Sequence, residues 1–270
     1  MRIRLSEKPI EIDQGTTLFA LRDRLKPGAD VVVLNGAPMR EDRVLQEGDE
    51  VVLIRRGEIP GPEEMEALMA ARHTPGVHEV LKQACVGIAG LGGLGSAIAI
   101  ALARIGVGKL VLVDFDVVEP SNLNRQQYFV DQVGLLKTEA LKANLARVNP
   151  YVNVEAHAVR LTPDNVPAIF ASVDVLAEAF DAPDQKAMLL ECFRRARPGT
   201  PIVVATGLAG HASSNTILTR RMGQNTTVVG DLTTAAQPGT GLMAPRVGVA
   251  AHHQANAIVR ILLGEDPAGA

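Results

Sequence analysis

The side chains best suited to chemistry lie between positions 84 and 137. The stretch ACVGIAGLGGLGSAIAIALARIGVGKLVLVDFD carries Gly90, Gly92 and Gly95 in a GxGxxG pattern, with Gly93 inside it. An apolar run precedes these glycines and an apolar helical pattern follows them. Glycines at such a turn let the backbone approach phosphates, and the first amides of the next helix stabilise their charge. Asp114 ends the following apolar run, where an acid can take a ribose hydroxyl. In this strand–helix–strand setting the pattern predicts an adenine-nucleotide site. The glycines alone would suit NAD. The next stretch, DFDVVEPSNLNRQQYF, adds Asp116, Ser121, Asn122, Arg125 and Gln126, and Lys137 opens a helix twelve residues after Arg125. Hydride transfer has little use for an Arg and a Lys beside the phosphates. A site that breaks a triphosphate does, because charge accumulates on the phosphate oxygens. ATP is therefore expected. A further acid, Asp181 in DVLAEAFDAPD, falls at the carboxyl end of a predicted strand, the usual ligand edge of a parallel sheet.

These residues need a scaffold that alternates strands and helices. Strands are expected at 84–90, 109–114, 152–158, 173–178 and 201–206, and helices at 94–106, 136–148, 184–196 and 245–263. That alternation predicts an α/β fold with a Rossmann-like, mostly parallel sheet covered by helices on both faces. The segment SSNTILTRRMGQNTTVVG reads as two polar strands around MGQN, followed by a Gly-Pro loop into the last helix.

The first 57 residues have a different rhythm: two short strands (3–5 and 9–12), a helix over LFALRDRL, a strand at 31–36 with the turn signal Asn35-Gly36, and a strand at 51–55. GEIPGP at 57–62 is a linker signal. Pro62 followed by Glu63 and Glu64 is a good helix start. The organisation expected is 1–57, a separate α+β domain; 58–82, linker and N-terminal helices; and 83–270, a nucleotide-binding domain.

The string GLGGLG, then DFD, then SNLNRQ, then a Lys-led helix resembles the ThiF and MoeB adenylyltransferases, bacterial relatives of the ubiquitin-activating enzymes. The likeness runs over about 63–265. The N-terminal region, with LNG and EGDEVVLI, resembles the β-grasp, ubiquitin-like sulfur carriers of the ThiS kind. The resemblance implies ATP-dependent adenylation of the C-terminal Gly-Gly carboxylate of a sulfur carrier, with magnesium, in a homodimer; MRIRLSEKPIEID has no apolar core of signal-peptide length, so a cytoplasmic location is the default expectation. The fused ThiS-like domain tilts the pathway toward thiamine; molybdopterin, cysteine and tRNA thiolation are alternatives. Residue by residue it implies nucleotide contacts by Gly90, Gly92, Gly93 and Gly95, ribose binding by Asp114, and phosphate contacts by Ser121, Asn122, Arg125 and Lys137. Asp181 would sit beside magnesium, and Arg72 would reach the phosphates of a second subunit.

The sequence departs from that pattern in several places. GLLK precedes the helix where relatives often have GQPK, and Ala182 follows Asp181 where they often have Asn. No CxxC pair implies a structural zinc, and no Cys falls in 206–240 to form a covalent bond with a carrier. The ThiS-like region continues into Arg56-Gly57-Glu58 instead of ending in a free Gly-Gly, so the carrier substrate is expected to be a separate protein. Composition excludes other classes. Lys and Arg total 27 against 30 Asp and Glu, so a phosphate-backbone partner is not expected. Aromatics are 3% with no Trp, which argues against base-stacking platforms. No apolar run reaches membrane-spanning length. Cys85 and Cys192 read as small buried hydrophobes, and the adjacent His252 and His253 point to different helix faces. An NAD-dependent oxidoreductase and a non-catalytic carrier-binding scaffold remain as other readings.

Overall fold

The computed structural model describes residues 1–269. They form two compact units, Met1–Pro75 and the chain from Gly76 onward.

The first unit contains β1 (Arg2–Leu5), β2 (Lys8–Glu11), α1 (Leu18–Leu25), β3 (Val31–Leu34), β4 (Ala37–Met39), β5 (Glu50–Ile54) and α2 (Pro62–Ala70). The sheet order is β2-β1-β5-β3-β4, with β1 and β5 parallel at its centre. Ser6 and Glu7 both adopt positive φ, and so do Asn35 and Gly36, so both hairpins turn through backbone twisted to match their strands. β4 was not expected. Pro38 and the polar flanks hide it, and the Asn35-Gly36 turn creates it. The Thr17 side chain caps α1 by accepting from the Ala20 amide. Leu18 and Leu21 of α1 pack on Ile3, Val32, Leu34, Val51 and Leu53, a helix-over-sheet core of the β-grasp kind.

The second unit contains α3 (Val77–Leu81), β6 (Cys85–Ala89), α4 (Gly93–Arg104), β7 (Lys109–Val113), α5 (Lys137–Val148), β8 (Asn153–His157), α6 (Val166–Ile169), β9 (Val175–Glu178), α7 (Pro183–Ala196), β10 (Ile202–Ala205), β11 (Leu218–Arg221), β12 (Thr226–Gly230) and α8 (Ala244–Leu262). Its seven strands run β11-β12-β10-β9-β6-β7-β8, all parallel except β11. β6, β9, β10 and β12 are buried along their whole length, as expected of strands covered on both faces. β12 differs from the polar strand expected. Thr226 and Thr227 are buried, and the Thr226 hydroxyl accepts from Arg194. The short helix α3 falls within the 58–82 segment where N-terminal helices are expected, whereas α6 lacks a periodic signal long enough to register in the sequence.

The order of connection positions the site. From β6 the chain moves outward to β7 and β8, then returns to the other side of β6 as β9. The β6/β9 boundary is therefore the point where strand order reverses, and its carboxyl-end crevice is where open α/β sheets bind ligands.

Candidate active site

The glycine loop leaves the end of β6 at this reversal. Gly90 has φ +90°, and a Cβ there would lie 2.9 Å from the Ala179 carbonyl oxygen after β9. At Gly95 a Cβ would fall 1.8 Å from the Gly90 carbonyl oxygen, so only glycine lets α4 press this closely on the loop. At Gly93 it would meet Val247 of α8 at 2.8 Å. Gly92 is different. Its nearest neighbour would be Gln126 Nε2, at an ordinary 3.8 Å, so protein packing does not demand a glycine there. Gly92 precedes α4 with no side-chain cap, which leaves the first amides of that helix directed at the crevice. Beside it the buried Gln126 Oε1 has no hydrogen-bond partner. Open space over Gly92, uncapped amides and an unpaired buried acceptor fit a nucleotide phosphate and sugar passing across the loop.

The predicted residues downstream of β7 join this loop through one hydrogen-bonded chain. Asp114 is buried. Its Oδ2 accepts from the Leu91 amide at 2.7 Å and its Oδ1 from the Asp116 amide at 2.8 Å. Both oxygens keep further lone pairs for a hydroxyl. Tyr128 donates to the Leu91 carbonyl at 2.8 Å. Burial, with added repulsion from Asp114 and Asp116, pushes its phenol well above the usual range, so it stays a neutral donor. Asp116 Oδ2 pairs with the buried Lys137 ammonium at 2.9 Å, and its carbonyl accepts from the Lys137 amide at the start of α5. Arg125 lies against Gly93, its Cγ 3.4 Å from where a Cβ would be. Its Nη1 donates to the Ser121 carbonyl and to Asn124 Oδ1. Asn122 is buried in a short turn, where its Oδ1 accepts from the Glu119 amide, while Ser121 is exposed.

Asp181 lies just past β9. Two residues earlier, the Ala179 amide donates to the Ala89 carbonyl at 2.9 Å, which pins the turn to the end of β6. Asp181 is exposed, and no group of three or more His, Cys, Asp or Glu side chains arranged for a metal ion occurs among the described residues. A single carboxylate of this kind suits magnesium, which is bound through one or two carboxylates together with substrate phosphates. Arg72 belongs to the first unit, where its guanidinium pairs with Glu7 at 2.6 Å. His253 meets the Thr219 hydroxyl at 3.0 Å and His252 the Gly248 carbonyl at 2.8 Å, each on its own neighbours.

One cluster escaped the sequence reading. Glu178, 1% exposed at the end of β9, is paired with Lys186 of α7 at 2.8 Å. Burial raises its carboxyl above the usual range, against the pull of Lys186 and the Phe180 amide. A glutamate closing an otherwise apolar buried strand, with a lysine eight residues later, was the available signal.

A ThiS-like ubiquitin profile matches residues 1–57, and the ThiF family profile matches residues 66–269. The chain is 39% identical over 129 residues to the adenylyltransferase and sulfurtransferase UBA4 of Candida glabrata, across 47% of this chain and 29% of that protein. It is 44% identical over 85 residues to ubiquitin-like modifier-activating enzyme 5 of Caenorhabditis elegans, across 32% of this chain and 20% of that protein. The alignments thus span less than a third of these curated relatives. Among solved structures, E. coli tRNA N6-threonylcarbamoyladenosine dehydratase, TcdA, in complex with ATP, shares the fold with a TM-score of 0.65 at 23% identity, over 77% of this chain and 98% of that one. E. coli MccB with ATP gives a TM-score of 0.52 at 25% identity, over 71% of this chain and 59% of that one. The profile match covers most of the sequence, including the glycine loop, the Asp114–Lys137 chain and the β9 turn, and the chain belongs to the ThiF family.

Proposed function

We propose that this protein is an ATP-dependent adenylyltransferase for the C-terminal Gly-Gly carboxylate of a separate ThiS-like sulfur carrier, acting in thiamine thiazole formation. The observation that carries this reading is the continuous network at the strand-order reversal. It links the glycine loop to Asp114, Asp116 and Lys137, with Arg125 against Gly93. UBA4 is named an adenylyltransferase and sulfurtransferase and the second relative a ubiquitin-like modifier-activating enzyme, and two of the structural neighbours contain ATP.

In this reading the amides of α4 hold phosphate, and Asp114 takes the ribose hydroxyls. Arg125 and Lys137 offset charge on the phosphate oxygens, Lys137 exchanging Asp116 for them. Asp181 would hold magnesium, which when bound neutralises charge on the departing pyrophosphate. A carrier carboxylate oxygen attacks the α-phosphorus, and the bond to pyrophosphate breaks, leaving an acyl-adenylate. A carboxylate is a poor acyl donor because its oxygen leaves badly; AMP leaves readily. The protein contributes position and charge rather than a nucleophile.

The ThiS-like unit is not the substrate in this reading. Beyond β5 the chain is tied back: the Arg56 amide donates to Asp30 Oδ1 at 3.1 Å, and Glu58 pairs with Lys26 at 2.8 Å. A homodimer, with Arg72 supplied across it, is supported by the exposed apolar residues Phe115, Val117, Phe129, Val130, Val133 and Leu135 on one segment of the second unit. Mixing Arg72→Ala with Asp181→Ala chains should then restore part of the activity.

The test is pyrophosphate release and ATP–pyrophosphate exchange by the full chain, with and without a ThiS-type carrier ending in Gly-Gly. Exchange that depends on the carrier, together with an adenylated carrier by mass spectrometry, is expected. NAD reduction in place of exchange, or no exchange with ThiS-, molybdopterin- or tRNA-thiolation-type carriers, would overturn the reading. Exchange with one of the latter two only would move the pathway and keep the chemistry.

A further inference from the structure

The turn that bears Asp181 is held by groups outside the nucleotide network. Glu178 ends β9 opposite Ala89, the residue before Gly90. Its Oε1 accepts from the Phe180 amide at 2.7 Å, one residue before Asp181. Both of its oxygens also receive Lys186 Nζ, at 2.8 and 2.9 Å. Lys186 is the fourth residue of α7, the helix that starts just after Asp181, and the same ammonium donates to the Ala205 carbonyl at the end of β10. Behind the pair, the fully buried Gln254 of α8 donates to the Glu178 carbonyl at 3.0 Å. Asp181 thus sits on a span whose start is fixed by the Glu178 carboxylate and whose far side is fixed by Lys186 binding that same carboxylate.

A purely structural account fits this pair poorly. The end of a buried parallel strand is ordinarily apolar. An ion pair placed there loses hydration, and well-packed apolar replacements of such pairs are often neutral or stabilising. What an apolar pair cannot do is bind the Phe180 amide and fix the α7 start to the same atoms.

We propose that Glu178, clamped by Lys186, is a positioning residue that sets the β9–α7 turn and thereby the place of the Asp181 carboxylate. The inference rests on the reading of Asp181 as the magnesium-side carboxylate. Its role is exerted through the backbone, with no contact to substrate required. Small displacements of a group that must meet a phosphate-bound cation carry large rate penalties.

The test uses the full chain with the double substitution Glu178→Leu/Lys186→Met and with Lys186→Met alone. Amide hydrogen exchange on the metal-free protein reports the turn directly. Mn2+ binding in the presence of ATP, followed by electron paramagnetic resonance, reports the carboxylate. In the double variant the melting temperature is expected to stay level or rise, while protection of the Phe180 amide falls at least tenfold. Mn2+ affinity should fall about tenfold, and kcat for adenylation of a ThiS-type carrier by 10- to 100-fold, with KM for ATP within threefold. Lys186→Met alone, which leaves a buried unpaired carboxylate, should lower the melting temperature as well. Unchanged Phe180 protection, or kcat within twofold of wild type in the well-folded double variant, would overturn the proposal. An active Asp181→Asn variant would instead overturn the metal reading. The loss of Phe180 protection would then still stand as evidence that Glu178 sets the turn, with no consequence for catalysis.

Discussion

Two glycines three residues apart should respond in opposite ways to the same methyl group. At Gly95 an added Cβ falls 1.8 Å from the Gly90 carbonyl oxygen, and real contacts of this kind essentially never come below 3.0 Å. Relief requires α4 to move from the loop by about 1.2 Å. The oxygen belongs to the backbone, and Ile98 and Leu102 of α4 are fully buried, so little can yield. Overpacking of this severity costs roughly 3 kcal/mol or more. For a unit of this size that lowers the melting temperature by roughly 6–12 °C. At Gly92 the same methyl meets only Gln126 Nε2 at 3.8 Å, and the backbone there is extended with φ −73°. With ψ −150° at the edge of the extended region, Gly92→Ala should therefore cost no more than about 1 kcal/mol, far less than Gly95→Ala. It should still weaken ATP binding at least tenfold, because the methyl occupies the surface over which the phosphates pass. Thermal unfolding and ATP titration calorimetry on both variants separate these effects. A Gly92→Ala chain as destabilised as Gly95→Ala, or one that binds ATP as wild type does, would refute the assignment of Gly92 to a ligand surface. A Gly95→Ala chain of native stability would refute the packing argument.

Asp181→Asn should abolish most carrier adenylation with the fold intact, since an amide is a poorer ligand for a hard cation; ATP–pyrophosphate exchange and circular dichroism check both halves. Arg125→Ala should lower kcat more than it raises KM for ATP, because its charge is needed most as the triphosphate breaks; steady-state kinetics decide. Asp231→Asn should cost about 3 kcal/mol at neutral pH by stripping the buried Arg246 of its carboxylate at 2.5 Å. Burial works to raise the Asp231 carboxyl, but donors from Thr234 and Thr233 outweigh it and hold it well below the unfolded value of 3.8. Its contribution is thus complete above that value and lost as pH falls toward the folded one, so the stability gap between wild type and variant in denaturant titrations should start to narrow below about pH 4 and shrink progressively at lower pH. A chain beginning at Glu58, which keeps Arg72, should still adenylate a free carrier in the exchange assay.

Much of the second unit is legible in the sequence. The runs at β6 and β7 are unbroken and apolar, and the glycines between them have a physical reason for each position. Gly95 had to be glycine for packing and Gly92 did not, a distinction the pattern GxGxxG cannot express. Asp114, Asp116 and Lys137 could be named from order alone. Their linkage through the Leu91 and Asp116 amides depends on how the β7 end folds back over the loop. Arg72 was legible only as an arginine near a helix, and its pairing with Glu7 comes from two segments far apart in sequence. Glu178 does not stand out in the sequence, because apolar continuity marks a buried strand and a charge at its end reads as the strand stopping. Only the return of Lys186 from α7 shows that the strand remains buried there.

The ThiS-like unit shows how far fold and chemistry can separate. Its sheet order and its helix-over-sheet core are those of a carrier, and the ThiS-like profile covers that whole region. The reactive feature of such a carrier is an anionic oxygen on a free, flexible chain end. After β5, a peptide bond links Arg56 to Gly57 and the chain continues. An amide oxygen there bears no charge to attack phosphorus. The segment is also not extended for delivery. The Glu58 amide returns to the Arg55 carbonyl, Arg56 is bound to Asp30, and α2 begins at Pro62. Each contact alone is weak, since exposed pairs contribute about 0–1 kcal/mol. Together with the covalent continuation they convert a tail into a closed turn. A domain so altered keeps the ThiS-like fold while lacking the free carboxylate on which the proposed adenylation would act. Adenylation of the chain's own N-terminal region would therefore require cleavage near Gly57 first. A mass spectrum of the uncleaved full chain incubated with ATP should show no adenylate on residues 1–57.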